Sequence, residues 1–291
     1  MYKIVLMSLA FATLSFGATQ VSNPRQPLAQ KTTKYYMPPL DVLNYSLSAL
    51  IESYSYKETE DDKRLMKISG IMAGLRGGIT HNVTPFFAHS LSMAYLMSAK
   101  TNYDGQVCAI GNPSNCQAFS TDSKDSIYYV QYVLNPRVRV DLLNVGYNIG
   151  VGYRFLFNDI NDDSAYRRAQ HYLYYILGFN LGAQISRKIS TQALVQYRGI
   201  VKAWNKTYMT DIDFDRDLSF NQPRGNGYYL ALRGDYRANS KIAYFAKLYY
   251  EYWHILESDS KQGFRNGQAV GYYVEPNNYT QSIGLNLGLV F

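Results

Sequence analysis

The chain has 291 residues, with 29 Lys and Arg against 22 Asp and Glu, a formal net charge of +7. Apolar residues make up 47% and charged residues 18%; this is too apolar for a disordered chain, and two cysteines are too few for a disulfide-dense miniature fold. Past the opening segment no apolar run reaches the roughly 18 residues of a membrane-crossing helix, which excludes a helical membrane protein. The chain holds 29 tyrosines, amphipathic aromatics suited to surfaces that are half apolar and half wet.

Residues 1–17 read as a secretory signal peptide. Lys3 supplies the positive start, Ile4 to Phe16 the apolar stretch, and Ser15 and Gly17 the small residues before a cut at Ala18. Export sets an oxidising context for Cys108 and Cys116. The bend between them, with Gly111, Pro113 and Asn115, predicts a disulfide. Residues 18–43 carry Pro24, Pro27, Pro38 and Pro39 and read as an extended N-terminal periplasmic tail, lying free or folded back into a barrel mouth.

From residue 44 to residue 291 the pattern has a period of two. Tyr128, Val130, Tyr132, Leu134, Pro136, Val138 and Val140 share one face; Tyr129, Gln131, Val133, Asn135, Arg137, Arg139 and Asp141 lie on the other. Tyr147 to Phe157, Tyr228 to Arg237 and Ser282 to Phe291 repeat the alternation. Alternation means strands, and segments of this length with aromatic ends match a transmembrane barrel, apolar outside and polar inside. Ten strands are predicted, at 44–56, 67–81, 86–100, 126–141, 145–157, 169–186, 191–205, 227–238, 242–256 and 280–291. Short turns near 82–85, 142–144, 187–190 and 239–241 alternate with longer polar loops at 57–66, 101–125, 158–168, 206–226 and 257–279. The expected fold is therefore an all-β, antiparallel up-and-down barrel in a bacterial outer membrane, turns periplasmic and loops outside. Phe291 ends the last strand as the terminal aromatic that barrel assembly machinery reads.

The inward faces are expected to carry Glu52, Arg76, Arg137, Arg139, Asp141, Arg154, Arg198, Lys202, Arg233, Asp235, Arg237, Lys247 and Glu251. These nine basic and four acidic groups read as an ion-pair network filling the lumen, since ten strands lie near the filled end of the barrel size range. The alternative is an anion-preferring pathway. His81, His89, His171 and His254 are expected at the interfaces. His89 is in phase with Leu91, Met93 and Tyr95 while Ser90 points the other way, so the two form no dyad. Asp211, Asp213 and Asp215 imitate the start of a calcium loop, but Arg216 and Gln222 stand where Gly and Glu are needed. No metal or other cofactor is expected.

The layout of residues 44–291 resembles the omptin family, ten-stranded outer-membrane barrels that include surface proteases. The better-matching stretches are Tyr197-Arg198-Gly199-Ile200-Val201, Gly227-Tyr228-Tyr229-Leu230-Ala231-Leu232, Lys247-Leu248-Tyr249-Tyr250-Glu251-Tyr252-Trp253 and the strand ending at Phe291. The resemblance implies the scaffold. Omptin chemistry uses an Asp pair in one loop and an Asp-x-His dyad in another to activate water. Loop 206–226 takes the dyad's place and holds no His, and loop 101–125 holds Asp104, Asp122 and Asp125 without a close pair. The expectation is a non-enzymatic barrel serving envelope structure or surface binding. Its expected partners are outer-membrane lipid, lipopolysaccharide and the assembly machinery, and no nucleic acid. The competing readings are a narrow anion-preferring pore and an omptin-like surface hydrolase.

Overall fold

The computed structural model describes residues 42–61, 63–109, 112–160, 162 and 165–291, with the side chains of 107–115 outside that set. The signal peptide and most of the tail, residues 1–41, also lie outside it. Fourteen strands follow in order: β1 Leu43–Glu60, β2 Lys63–Thr84, β3 Phe87–Met97, β4 Thr101–Ala109, β5 Asn112–Val140, β6 Leu143–Ile160 and β7 Arg168–Gln184, then β8 Ile189–Thr207, β9 Leu218–Asn221, β10 Gly225–Arg237, β11 Ala243–Ile255, β12 Lys261–Arg265, β13 Gln268–Tyr273 and β14 Asn277–Val290. Ten of them, β1, β2, β3, β5, β6, β7, β8, β10, β11 and β14, pair antiparallel in sequence order, and β14 returns to β1. The sheet therefore closes and leaves no barrel edge. Among the described residues no helix is long and apolar enough to cross a membrane.

Closure is sealed at the end of the chain. Tyr45 and Phe291 exchange backbone hydrogen bonds of 2.8 and 2.9 Å, and their rings stack with centroids 6.0 Å apart. At the same end the turns are tight, at 85–86, 141–142, 185–188 and 238–242. In the last of these, Lys241 and Ile242 donate backbone N–H to the Asn239 side-chain oxygen at 2.8 and 2.9 Å, an Asx-type turn.

The predicted strands all exist, and most extend beyond their predicted ends toward the long-loop side. Alternation fades there because no apolar face is required, yet the ladder continues. Lys57↔Lys67 and Glu60↔Lys63 still pair β1 with β2, so the predicted loop 57–66 is a strand hairpin. β4 and the first part of β5 form a second hairpin inside the predicted loop 101–125. β9 lies in the predicted loop 206–226 and β12–β13 in the predicted loop 257–279.

Outside, the barrel exposes Leu47, Ile51, Ile71, Leu75, Ile149, Val151, Leu177, Val195, Leu232, Leu248 and Ile283. A continuous apolar belt of this kind suits hydrocarbon. Aromatic girdles border it. Tyr147 meets Phe179 on the short-turn side. On the other side His171 stacks on Trp204 at 4.7 Å and His254 on Tyr279 at 4.3 Å. All four histidines lie on the outward phase; His81 and His89 pair across strands with ring nitrogens 3.0 Å apart.

Candidate functional site

The interior divides into three levels. Each barrel strand sends a buried side chain into the middle one: Tyr54, Met72, Leu96, Tyr129, Arg154, Tyr172, Arg198, Tyr229, Glu251 and Ser282. Arg198 Nη1 donates to Glu251 Oε1 at 2.8 Å, and Trp253 Nε1 donates to the same oxygen at 2.5 Å. Tyr129 OH reaches Glu251 Oε2 at 3.3 Å, from β5 to β11. In a ring of ten strands these are opposite walls, so the bond spans the lumen. Arg154 is fully buried. Its Nε donates to Tyr129 OH at 3.3 Å, and its guanidinium lies 5.3 Å from the Tyr172 ring centre. Aromatic faces thus take the place of water around a buried cation. Glu52 accepts from Tyr249 OH at 2.6 Å and Ser282 Oγ at 3.0 Å.

Two inward glycines make this layer possible. A Cβ on Gly284 would sit 2.3 Å from the Tyr249 ring, and one on Gly152 would sit 2.4 Å from the Tyr174 ring. These are cross-strand partners, Tyr249↔Gly284 and Gly152↔Tyr174. Each tyrosine lies flat over its glycine and reaches one strand further, Tyr249 to Glu52 and Tyr174 to Gln131.

The level above, toward the long loops, is also bridged. Arg168 on β7 binds Glu58 on β1, again opposite walls. Gln170 Nε2 donates to Tyr56 OH at 2.7 Å, and Tyr56 OH donates to Glu58 at 2.7 Å. Glu275, in the segment between β13 and β14 beyond the membrane-spanning strands, accepts from Thr207 Oγ1 at 2.5 Å. Burial lifts its carboxyl to about 7, against the pull of Arg168. Asp125 accepts from Asn158 at 2.6 Å and Ser123 at 3.0 Å. Sequence reasoning missed Arg168, Glu58 and Glu275, and it placed Tyr129 and Tyr229 on the inward face without a role. For Tyr174 and Tyr249 the available signal was the register-matched Gly–Tyr pairing.

The third level is a cavity of about 790 Å³ at the short-turn end. It receives Arg137, Arg139, Arg233, Asp235 and Arg237 of the predicted network. Arg233 and Asp235 pair at 2.6 Å, along one strand and not between neighbours. Arg76 is half-buried on β2, and Lys247 faces Arg233 across β10–β11 with its Nζ 5.8 Å from the Tyr229 ring centre. Two expectations need correction. Lys202 faces outward, over the Trp204 ring at 5.3 Å, because a bulge opposite Leu173/Tyr174 adds a residue to β8 and reverses the phase. Asp141 sits in the turn with φ 51°. It is exposed along with Arg139, whose Nε donates to the Asp141 carbonyl at 3.0 Å.

The long loops carry a core of their own. Met209, Phe214, Leu218 and Phe220 pack with Tyr166, Ile212, Val270 and Tyr273. The four acidic residues around it have separate partners. Asp211 binds Arg167 at 2.8 Å, Asp213 binds Arg265 at 3.0 Å and Asp217 binds Lys206 at 3.0 Å. Asp215 accepts from the backbone N–H of Asn266 and Gly267, both at 2.8 Å, at a turn where both residues have positive φ. The carboxylates do not converge, and the described residues contain no group of metal ligands. The hydrogen bonds from Arg167 hold Asp211 below the usual carboxylate range. Cys108 pairs with Cys116 in the β4–β5 register; the Cys108 side chain lies outside the described residues.

The outer membrane protease OmpT from Escherichia coli is similar to this chain with a TM-score of 0.60 at 10% identity, over 86% of this chain and 96% of that one. The Pseudomonas putida toluene transporter TodX gives a TM-score of 0.34 at 7% identity, over 87% and 90%. The translocator domain of the autotransporter NalP from Neisseria meningitidis gives 0.35 at 8%, over 84% and 88%. No protein-family model and no curated protein matches the chain. The likeness to OmpT establishes a shared ten-stranded barrel fold, and a fold alone assigns no chemistry.

Proposed function

We propose that this chain is a closed, non-conducting outer-membrane barrel whose role is to present an ordered crown of loops at the cell surface for binding. The observation that carries this is the wall-to-wall bridging of the lumen. Tyr129–Glu251 and Arg168–Glu58 each join diametrically opposed strands, at two separate levels. Direct contacts between opposite walls leave no water column at those levels, as expected of a barrel this narrow. A non-enzymatic role is supported by the outward phase of His81, His89, His171 and His254, whose contacts include one another, Tyr153, Trp204 and Tyr279. The loop core with its ion pairs gives the crown a preformed shape, which lowers the ordering cost of binding.

In this orientation the long loops face outward and the short turns face the periplasm. Lys202 and Lys206, beside Trp204 and Tyr208 on the outward surface, would meet the phosphates of lipopolysaccharide, and Phe291 would be read during assembly. Planar-bilayer recording of the purified protein tests the reading. No steady channel is expected. A large steady conductance would instead promote the anion-preferring pore.

A further inference from the structure

The short-turn cavity has a chemistry of its own. Six cations line it, Arg137, Arg139, Arg187, Lys188, Arg233 and Arg237, against a single carboxylate, Asp235. That carboxylate is already held by Arg233, with oxygens 2.6 to 3.0 Å from the guanidinium nitrogens. Arg137 is fixed by neutral acceptors only, donating to Asn82 Oδ1 at 2.9 Å and the Pro85 carbonyl at 3.1 Å, so it is positioned without being neutralised. Arg139 likewise donates to a backbone carbonyl. None of Arg137, Arg139, Arg187, Lys188 and Arg237 makes an ion pair among the described residues. Further in, the wall is lined with amides, Asn148, Asn180 and Gln192. Asn148 is buried, and its Nδ2 has no hydrogen-bond partner.

We infer that this cavity binds a small oxyanion, a soluble molecule bearing phosphate or carboxylate groups together with hydroxyls or amides. Its volume lies within the range of small-molecule sites. Low-dielectric walls around clustered charge of one sign concentrate the opposite sign. Residues 18–41 carry Arg25, Lys31 and Lys34 against one Asp41, so the tail repeats the charge of the cavity and is not its complement. The bridged level above makes the cavity a blind site, entered and left by one mouth. That this mouth faces the periplasm rests on the orientation proposed above; the binding itself does not.

The same phosphate chemistry could come from a lipid headgroup at the rim, and the experiment separates the sources. Purified full-length protein in zwitterionic detergent is titrated with inorganic pyrophosphate by calorimetry at low salt. One site is expected, weakened about tenfold by Arg137→Gln/Arg237→Gln through lost charge-assisted bonds, and unchanged by Lys63→Gln, exposed at the long-loop end. Asp235→Asn provides a variant in the opposite direction: release of Arg233 should tighten binding about threefold. The same titration is repeated in nanodiscs of phosphatidylcholine with and without phosphatidylglycerol, where phosphatidylglycerol should leave it unchanged. Failure of the wild type to bind, or equal weakening by Lys63→Gln, overturns the site. So does an interaction that appears only with phosphatidylglycerol and is lost with Arg139 and Arg187. Labelling of Ser190→Cys on whole cells tests the orientation independently.

Discussion

The ion pair at the centre of the barrel is the sharpest test of how the lumen is held. Glu251→Gln keeps the volume of the side chain and a carbonyl for the Trp253 N–H, and removes only the charge. The side chains of Arg198 and Glu251 are 3% and 6% exposed, and their contact is 2.8 Å, so Arg198 would be left as a buried cation without its counter-ion. At an effective dielectric of 20, two charges 4 Å apart interact by about 4 kcal/mol, and breaking buried pairs costs about 3–5 kcal/mol. The Tyr229 face 4.6 Å from the guanidinium remains and offsets about 1 kcal/mol. The expected loss is therefore about 3 kcal/mol. The double variant Glu251→Gln/Arg198→Met should recover most of it, because the uncompensated charge goes too. Urea unfolding of reconstituted protein measures all three. A loss below about 1 kcal/mol, the value of a solvated surface pair, would refute the dry layer, as would a double variant weaker than the single.

Asp235→Asn should cost far less, about 1 kcal/mol, because its pair with Arg233 is 23% and 27% exposed; the same urea assay reads it. Alkylation before and after reduction should label Cys108 and Cys116 only after reduction, and mass measurement counts the labels. Deleting Phe291 removes two backbone hydrogen bonds to Tyr45 and a ring contact, so heat-modifiable migration and membrane yield should both fall. The Asp211 carboxyl is held low by Arg167; its contribution is present above the ordinary carboxylate pKa, about 4, and is lost as the pH falls through the lower folded value. Protection of residues 206–217 from hydrogen exchange, taken relative to the intrinsic rate at each pH, should therefore hold at pH 5 and fall in stronger acid, while Asp211→Asn lowers it already at pH 7.

Strand number, turn positions and chain closure were legible because lipid imposes alternation. Val151 and Tyr153 must face out and Gly152 and Arg154 in, and no other phase avoids charge in hydrocarbon. The long-loop ends were not legible, because past the girdle nothing forces an apolar face: Lys57 and Glu58 pair as well as Ile51 does. Lys202 was misplaced because one extra residue in β8 reverses every later side chain, and a bulge has no hydropathy signature. The tyrosines were half legible. Composition marked them as interface residues, yet Tyr54, Tyr129, Tyr172, Tyr174, Tyr229 and Tyr249 are buried in the lumen. For Tyr174 and Tyr249 the role depends on the glycine that stands across the strand, Gly152 and Gly284, a register property that neither residue carries alone.

The distribution of charge follows the distribution of water. In the middle level Arg198 is paired with Glu251, while Arg154 lies among the rings of Tyr129, Tyr172 and Trp253, since a buried ion without compensation is costly. The excess of positive charge sits instead in the short-turn cavity, where solvent and salt make unpaired guanidinium groups cheap to keep. A count of inward charges merges these two regimes and suggests one conducting column of mixed sign. Separated by level, the same residues fall into a bridged layer that holds the Arg198–Glu251 pair and a basic recess at the short-turn end. On the proposed closed barrel the bridged layer also decouples the ends: an anion held beside Arg137 and Arg237 would lie below the contacts that shape the loop crown. Binding at one end should therefore leave the other unaltered, whereas any ligand that changed both would have to break the Tyr129–Glu251 bridge between them.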